Sequence, residues 1–147
     1  MFKHILIPTD GSPISVKAAK AGIRLAADLG ARVSAFHAIE AWQPQLYSEA
    51  YGIDPATFKA IERSAREAGE RHVASVARLA EAAGVPLVAL VVESATAYEG
   101  IVDAARKSKC DVIFMASHGR RGFSKLMMGS VTQKVLSHAK VPVLVFR

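Results

Sequence analysis

The chain has 147 residues, of which 51% are apolar and 22% are charged. This length fits one domain with a sizeable core, and no apolar run approaches the ~18 residues of a membrane-spanning helix. A single cysteine, Cys110, excludes an internal disulfide framework. Because the first residues turn polar too soon for an export signal, we expect a cytoplasmic protein.

The formal net charge of +6 comes from 19 Lys and Arg against 13 Asp and Glu. Nucleic acid, an acidic membrane surface and anionic small ligands would all attract such a chain. The basic residues are scattered along the sequence, however, and no window concentrates them. A mildly basic, solvated surface is therefore favoured over nucleic-acid or membrane binding.

Short apolar runs alternate with amphipathic stretches along the whole chain. The predicted strands span residues 2–8, 32–38, 86–92, 111–115 and 141–146. The predicted helices begin after the capping residues Ser12, Asp54 and Thr96 and at about Ser130. The third strand shows almost no alternation of polar and apolar residues, so we expect both of its faces to be covered. A long loop over 39–54 is predicted either to pack on its own aromatics or to cover a ligand.

Strict alternation of strands and helices predicts an α/β, doubly wound, Rossmann-like fold in a single domain over residues 1–147. We expect a five-stranded parallel sheet with helices on both faces and strand order 3-2-1-4-5. In such a sheet, ligands bind outside the carboxyl ends of the strands, where the winding direction reverses. The loop at 8–11, after strand one, and the loop at 116–130, after strand four, would meet there.

These two loops differ in chemistry. Asp10 makes the first loop acidic, whereas Arg120, Arg121 and Lys125 make the second basic. A glycine-bearing loop that leads into a helix is typical of phosphate binding, because free backbone N–H groups face the anion. Together the loops suit a nucleotide, with its ribose at one wall and its phosphates at the other. His118 lies in the second loop, where it either contacts phosphate or packs.

Familiar catalytic and phosphate motifs are absent from the sequence. There is no Gly-x-x-x-x-Gly-Lys-Ser/Thr, no Gly-x-Gly-x-x-Gly and no Gly-x-Ser-x-Gly. No histidines or carboxylates cluster at the spacing of metal ligands, and His72 falls in the apolar stripe of the longest predicted helix, as a core-edge residue does. These absences argue against a P-loop ATPase, a dinucleotide enzyme and a serine hydrolase.

The chain resembles the universal stress proteins over its full length. The nucleotide signature of that family is Gly-x-x-Gly, nine residues, then Gly followed by Ser or Thr. Here it reads Ala-Ser-His-Gly from Ala116 to Gly119, nine residues, then Gly129 and Ser130. The opening Ile-Leu-Ile-Pro-Thr-Asp-Gly-Ser and the closing Gly-Ser-Val-Thr-x-x-Val, followed by Val-Pro-Val-Leu-Val, are also similar to the family.

The resemblance implies an ATP site, with Mg held through the phosphates rather than by the protein. Thr9, Asp10 and Ala38 would line the adenosine end, and the helix start at Gly129 would hold phosphate oxygens. The complete implied site consists of Pro8, Thr9, Asp10, Ala38, Met115, Ala116, Ser117, His118, Gly119, Arg120, Gly122, Gly129, Ser130, Val131 and Thr132.

Ala116 departs from the family pattern, which has glycine at this position. If the residue needs a positive φ, alanine costs about 1 kcal/mol and its methyl group intrudes on the ligand. If it ends a strand with negative φ, alanine fits. The second case is favoured. The family also has a branch that keeps the fold without binding ATP and loses the glycines of this loop, and the retention of Gly119, Gly129 and Ser130 argues against that branch.

The resemblance also implies a stress-response or signalling switch that works through a homodimer and a protein partner not identified by the sequence. The dimer would form through the last strand, residues 141–146, which begins with Val141 and ends with Phe146, because an apolar edge strand invites pairing. The alternatives are a non-nucleotide adaptor or chaperone-like dimer, and a slow ATPase. No clear water-activating base is present, so catalysis is not expected.

Overall fold

The computed structural model describes residues 1–41, 51–120 and 128–147. Its strands are β1 (His4–Pro8), β2 (Arg32–Glu40), β3 (Leu87–Ser94), β4 (Val112–Ala116) and β5 (Val143–Phe146). Its helices over the same residues are α1 (Pro13–Leu29), α2 (Pro55–Ala82), α3 (Ala97–Lys107) and α4 (Ser130–His138). None of these helices is long and apolar enough to cross a membrane.

The strands form one parallel sheet in the order β3-β2-β1-β4-β5, which confirms the predicted fold class. The central strand β1 pairs with β2 on one side, where Ile5 lies opposite Val33. On the other side it pairs with β4, where Ile5 lies opposite Val112. The winding direction therefore reverses between β1 and β4, and the loops that follow these two strands are neighbours.

Alternation along β1 divides the core between the two faces of the sheet. Ile5 and Ile7 pack with side chains of α1 and α2, whereas Leu6 packs with side chains of α3 and α4. All three side chains are fully buried. The helices thus cover both faces, as the near-continuous apolar strands predict.

The helix starts agree with the capping pattern in the sequence. The Ser12 side chain accepts a hydrogen bond from the Ser15 amide at 3.3 Å, and Pro13 occupies the first turn of α1. The Thr96 hydroxyl caps α3 by accepting from the Glu99 amide. These bonds satisfy amides that a helix leaves unpaired at its N-terminus.

Several predicted strand limits are wrong by one or two residues. β1 begins at His4 rather than at residue 2, and β2 continues past Ala38 to Glu40. The extension of β2 is held by β3, because Glu40 lies opposite Ser94 in the ladder. Residues 39 and 40 therefore belong to β2 and not to the predicted 39–54 loop. Residues 42–50 of that loop lie outside the described part of the chain.

The expectation that both faces of the third strand are covered is also wrong. β3 is an edge strand, and its outward side chains Val88 and Val92 are 59% and 42% exposed. An apolar sequence therefore does not mean that both faces of this strand are buried.

Candidate functional site

A cavity of about 360 Å³ opens at the carboxyl ends of the central strands. Its floor contains the ends of β1, β2 and β4, and its walls include residues of α3 and α4. The residues of the implied nucleotide site that line it are Pro8, Thr9, Asp10, Ala38, Met115, Ala116, His118, Gly119, Arg120, Gly129, Val131 and Thr132.

Of the other three implied residues, two are described by the structure and do not line this cavity. Ser117 is buried beneath it, and its amide and carbonyl bond to Phe146 and Gly129. Ser130 is exposed at the start of α4. Gly122 lies outside the described residues. A structural role therefore suits Ser117 better than ligand contact.

Asp10 joins the two loops that the sequence predicts to meet. Its Oδ1 accepts the Ser12 amide at 3.0 Å, and its Oδ2 accepts the Arg120 amide at 2.9 Å. Burial raises the pKa of Asp10, but hydrogen bonds from Ser12 and Arg120 lower it by more, so the pKa falls below its usual value. The group is a carboxylate that fixes the distance between the loops.

Ala116 is the last residue of β4, where it lies opposite Phe146. Among the described residues other than glycine, only Lys109 has a positive φ, so alanine fits the strand end as the favoured case predicted. The Ala116 carbonyl accepts the buried Thr132 hydroxyl at 3.0 Å, which ties β4 to the first turn of α4. Loss of the family glycine does not disturb the backbone here.

The two retained signature glycines serve close approach rather than unusual φ angles. A Cβ on Gly119 would lie 2.5 Å from Asp10 Oδ2, and a Cβ on Gly129 would lie 3.0 Å from His118 Cα. Neither glycine has a positive φ. The signature thus allows the loop after β4 to pass close to Asp10 and then to double back at the start of α4.

Helix α4 begins without a side-chain cap. Gly129 is its N-cap, whereas Ser12, Asp54 and Thr96 cap the other three described helices with side-chain oxygens. The first amides of a helix carry partial positive charge and have no intrahelical partner. With Val131 and Thr132 on the cavity wall, this end of α4 can accept an anion.

The histidines of the site are arranged differently from the expectation. His118 lines the cavity, and its Nδ1 is 3.0 Å from the Ser117 hydroxyl, so it packs locally and also faces the ligand space. His72, predicted to be a core-edge residue, does not line the cavity but contacts a residue that does, because its Nε2 lies 2.9 Å from Arg120 Nη2. Its ring also contacts that of His37, with centroids 5.2 Å apart.

Comparison with known proteins agrees with this geometry. The model of the universal stress protein family matches residues 1–147. The chain belongs to the universal stress protein family. A relative from Methanocaldococcus jannaschii, itself named a universal stress protein, is 34% identical over 147 residues, which are all of this chain and 83% of the relative.

Solved structures of the family have the same fold. A member from Burkholderia pseudomallei, 26% identical, superposes with a TM-score of 0.76 over 99% of this chain and 96% of its own. Three more distant structures are 14–20% identical, with TM-scores of 0.64–0.68. These alignments cover 98–100% of this chain and 90–98% of theirs, and the three structures hold cAMP, dAMP and AMP respectively.

Six lining residues of this family member were not predicted from the sequence. Glu40 was missed because β2 ends two residues beyond the predicted end, whereas His37 lies within the predicted strand and was not assigned to the site. Ala97 directly follows the capping residue Thr96, so the loop after the third strand was a usable signal. The unpredicted lining residues are Ser15, Phe36, His37, Glu40, Ala97 and Ile101.

No group of three or more histidine, cysteine or carboxylate side chains in the described residues could hold a metal ion.

Proposed function

We propose that this universal stress protein binds an adenine nucleotide, ATP with Mg, in the cavity at the carboxyl ends of β1, β2 and β4. The observation that carries the proposal is the convergence of both signature segments, Ala116–Gly119 and Gly129–Thr132, on one cavity that the acidic loop after β1 also lines. The nucleotides held by distant members of the family support the same ligand class.

The cavity suits the two ends of a nucleotide. The end near Ala38 and Ile101 is apolar and takes the base, while Thr9 and Asp10 are within reach of ribose hydroxyls. The uncapped start of α4 at Gly129 takes the phosphates through backbone amides. Mg then contacts phosphate oxygens and water, as this ion does when few protein ligands are offered.

We propose that nucleotide binding changes the affinity of a homodimer for a protein partner, and that the nucleotide is not a substrate for catalysis. Asp10 is the carboxylate best placed to activate a water, but both of its oxygens already accept backbone amides. That arrangement favours a positioning role over a general base. A slow ATPase and an adaptor that binds no nucleotide remain the competing functions.

The test is a calorimetric titration of nucleotide-stripped protein with Mg-ATP, repeated on Gly119→Val. The wild type is expected to bind, and the variant is expected to lose affinity because its side chain displaces the Asp10 carboxylate. At a hundredfold excess over Kd the ligand should stabilise the wild type by about 2.7 kcal/mol, which a melting curve also detects.

A matched control is Ala60→Val, which adds bulk on the exposed side of α2 far from the cavity. It should bind as the wild type does. Equal binding by Gly119→Val would place the nucleotide elsewhere, and no binding by the wild type would favour the adaptor. Turnover above about 1 s⁻¹ that is lost in Asp10→Ala would instead make the protein an enzyme.

A further inference from the structure

Arg120 is held at both its backbone and its side chain. Its amide donates to Asp10 Oδ2 at 2.9 Å, and its guanidinium Nη2 donates to His72 Nε2 at 2.9 Å. The residue thus links the loop after β4 to the loop after β1 and to helix α2. Arg120 lines the cavity, whereas His72 stands behind it.

The contact between Arg120 and His72 exists only while the imidazole is neutral. A guanidinium has donors and no acceptor, so His72 Nε2 must offer a lone pair and the ring proton must sit on Nδ1. A protonated imidazole has two N–H donors and no lone pair. Protonation of His72 therefore breaks the hydrogen bond and leaves two cations in contact.

The fold reserves space for this imidazole. Gly11 has φ +75°, and a Cβ there would lie 2.2 Å from both Nδ1 and Cε1 of His72. One turn before His72, Gly69 makes room for the ring of His37, because a Cβ there would lie 2.6 Å from His37 Cδ2. His37 Nδ1 donates to the Thr9 carbonyl at 2.8 Å, which fixes the second ring.

The charges around His72 come from every element that packs on it. Burial lowers the pKa of His72, and His37 from β2, Arg120 from the loop after β4 and Arg71 from α2 lower it further. Asp10 from the loop after β1 opposes them. The balance keeps the imidazole neutral, and available to Arg120, at neutral pH.

The contact with His72 determines the side of the cavity toward which the Arg120 guanidinium is held. Helix α2 packs on the sheet face that α1 covers, whereas α4 packs on the opposite face. His72 therefore draws the guanidinium toward the α2 side of the cavity. The phosphate end of the proposed nucleotide site, at Gly129, lies on the α4 side.

We propose that His72 and the phosphate groups of a bound nucleotide compete for the guanidinium of Arg120, so that protonation of His72 releases Arg120 to the ligand. The inference rests on the proposed nucleotide site and adds a regulatory input to it. Affinity for phosphate-bearing ligands rises as the pH falls, and His72 acts as a positioning residue that never touches the ligand.

One test needs no ligand. The imidazole of His72 is titrated by NMR in the wild type and in Arg120→Gln, which removes the guanidinium and its positive charge. The pKa of His72 is expected to rise in the variant. An unchanged titration would mean that the two groups do not interact in solution, and it would overturn the proposal.

The second test compares the Mg-ATP affinity of the wild type and His72→Ala from about pH 8 down to the lowest pH at which both proteins stay folded, because the pKa of His72 lies below its ordinary value. At the upper end the variant should bind about tenfold more tightly, the factor equivalent to one charge-assisted hydrogen bond. At the lower end the two proteins should converge. Because ATP ionises identically in both experiments, the ratio of the two affinities at each pH does not depend on that ionisation.

Two controls sharpen this comparison. His138→Ala, at the far end of α4, should keep the wild-type pH response. Adenosine, which has no phosphate, should bind the wild type and His72→Ala equally. A ratio that is constant with pH, or an equal gain for adenosine, would overturn the competition while leaving the nucleotide site intact. No ATP binding by either protein at any pH would overturn both.

Discussion

Single residues decide how the loops of the candidate site are joined. Asp10 accepts hydrogen bonds from two backbone amides in two different loops. Gly119 has no side chain, so the Asp10 carboxylate can approach its backbone closely. Ala116 shows the converse, because a strand end tolerates a methyl group where the family has glycine. In these cases the effect of a residue comes from the presence or absence of particular atoms, such as a carboxylate oxygen or a Cβ, more than from its residue class.

His4 makes an acid-dependent contribution to stability. It is 8% exposed, its Nε2 lies 2.8 Å from the Ser34 hydroxyl, and its Nδ1 is buried. Burial, assisted by Arg32, lowers the pKa of His4 below the 6.5 of the unfolded chain. The unfolded state therefore binds the proton first, so stability is full above pH 6.5 and declines as the pH falls through the lowered pKa.

We expect His4→Leu to reduce this decline, measured as the free energy of urea unfolding at successive pH values below neutral. The slope should shrink rather than vanish, because His72 also has a lowered pKa. His138→Leu, on the exposed end of α4, is the control and should keep the full slope. An unchanged slope in His4→Leu would contradict the assignment.

Sequence reasoning located most of the cavity lining because strand ends and signature loops can be placed from local pattern. It did not assign His37 to the site, although this residue lies within the predicted second strand, and it did not predict the contact of His72 with Arg120, because a helical stripe does not show what its residues touch. A stripe position is compatible both with the core and with the rim of a site. Only the tertiary placement of α2 beside the β1 loop distinguishes them.

Helices in this molecule begin in two ways. Three of the described helices use a side-chain oxygen as N-cap, and α4 uses Gly129 with none. The helix without a side-chain cap is α4, whose first turn lines the cavity. The first amides of α4 therefore stay available to a ligand. An internal cap there would compete with the ligand for the same donors.

The pair Gly129→Ser and Gly129→Ala tests this idea. Both variants add a Cβ about 3.0 Å from His118 Cα, so both should be less stable than the wild type. Only serine can cap α4, and it should recover about 1 kcal/mol of unfolding free energy relative to alanine. In Mg-ATP titrations, the serine variant should bind more weakly than the alanine variant. Equal affinities would mean that ligand and cap do not share the amides.

The fold class followed from the sequence because apolar runs and amphipathic stretches alternate strictly along the chain. The lengths of β2 and β3 did not, since β2 gains Ile39 and Glu40 by pairing with β3 across the ladder. The exposure of Val88 was hidden for a similar reason. An apolar run in the sequence does not indicate whether the strand it forms lies at the centre of a sheet or at its edge.

At the scale of the whole molecule, the sheet has an edge at β5. Leu144 on this strand is 36% exposed, and β4 covers only its inner side. Such an edge offers unpaired backbone groups to a second copy of the chain. The predicted homodimer through residues 141–146 remains a proposal that this feature favours.

Leu144→Lys should convert a dimer to a monomer in sedimentation experiments at micromolar concentration, because the new charges would meet across the two-fold axis. Val88→Lys is the matched control, since Val88 is an exposed apolar residue on the opposite edge strand. It should leave the dimer intact. A monomeric wild type, or a dimer broken only by Val88→Lys, would contradict pairing through β5.

The position of β1 at the centre of the sheet sets a constraint on biosynthesis. Its partner on one side, β4, is bonded to it through contacts such as the His4 amide to Asp111 Oδ1, which join residues 107 positions apart. At about 5–20 residues per second, a ribosome needs roughly 6–20 s to make that partner. During this interval β1 can pair with β2 alone, and the side that later becomes the middle of the sheet is an open edge. The nascent chain is thus most in need of protection by chaperones before its second half has emerged.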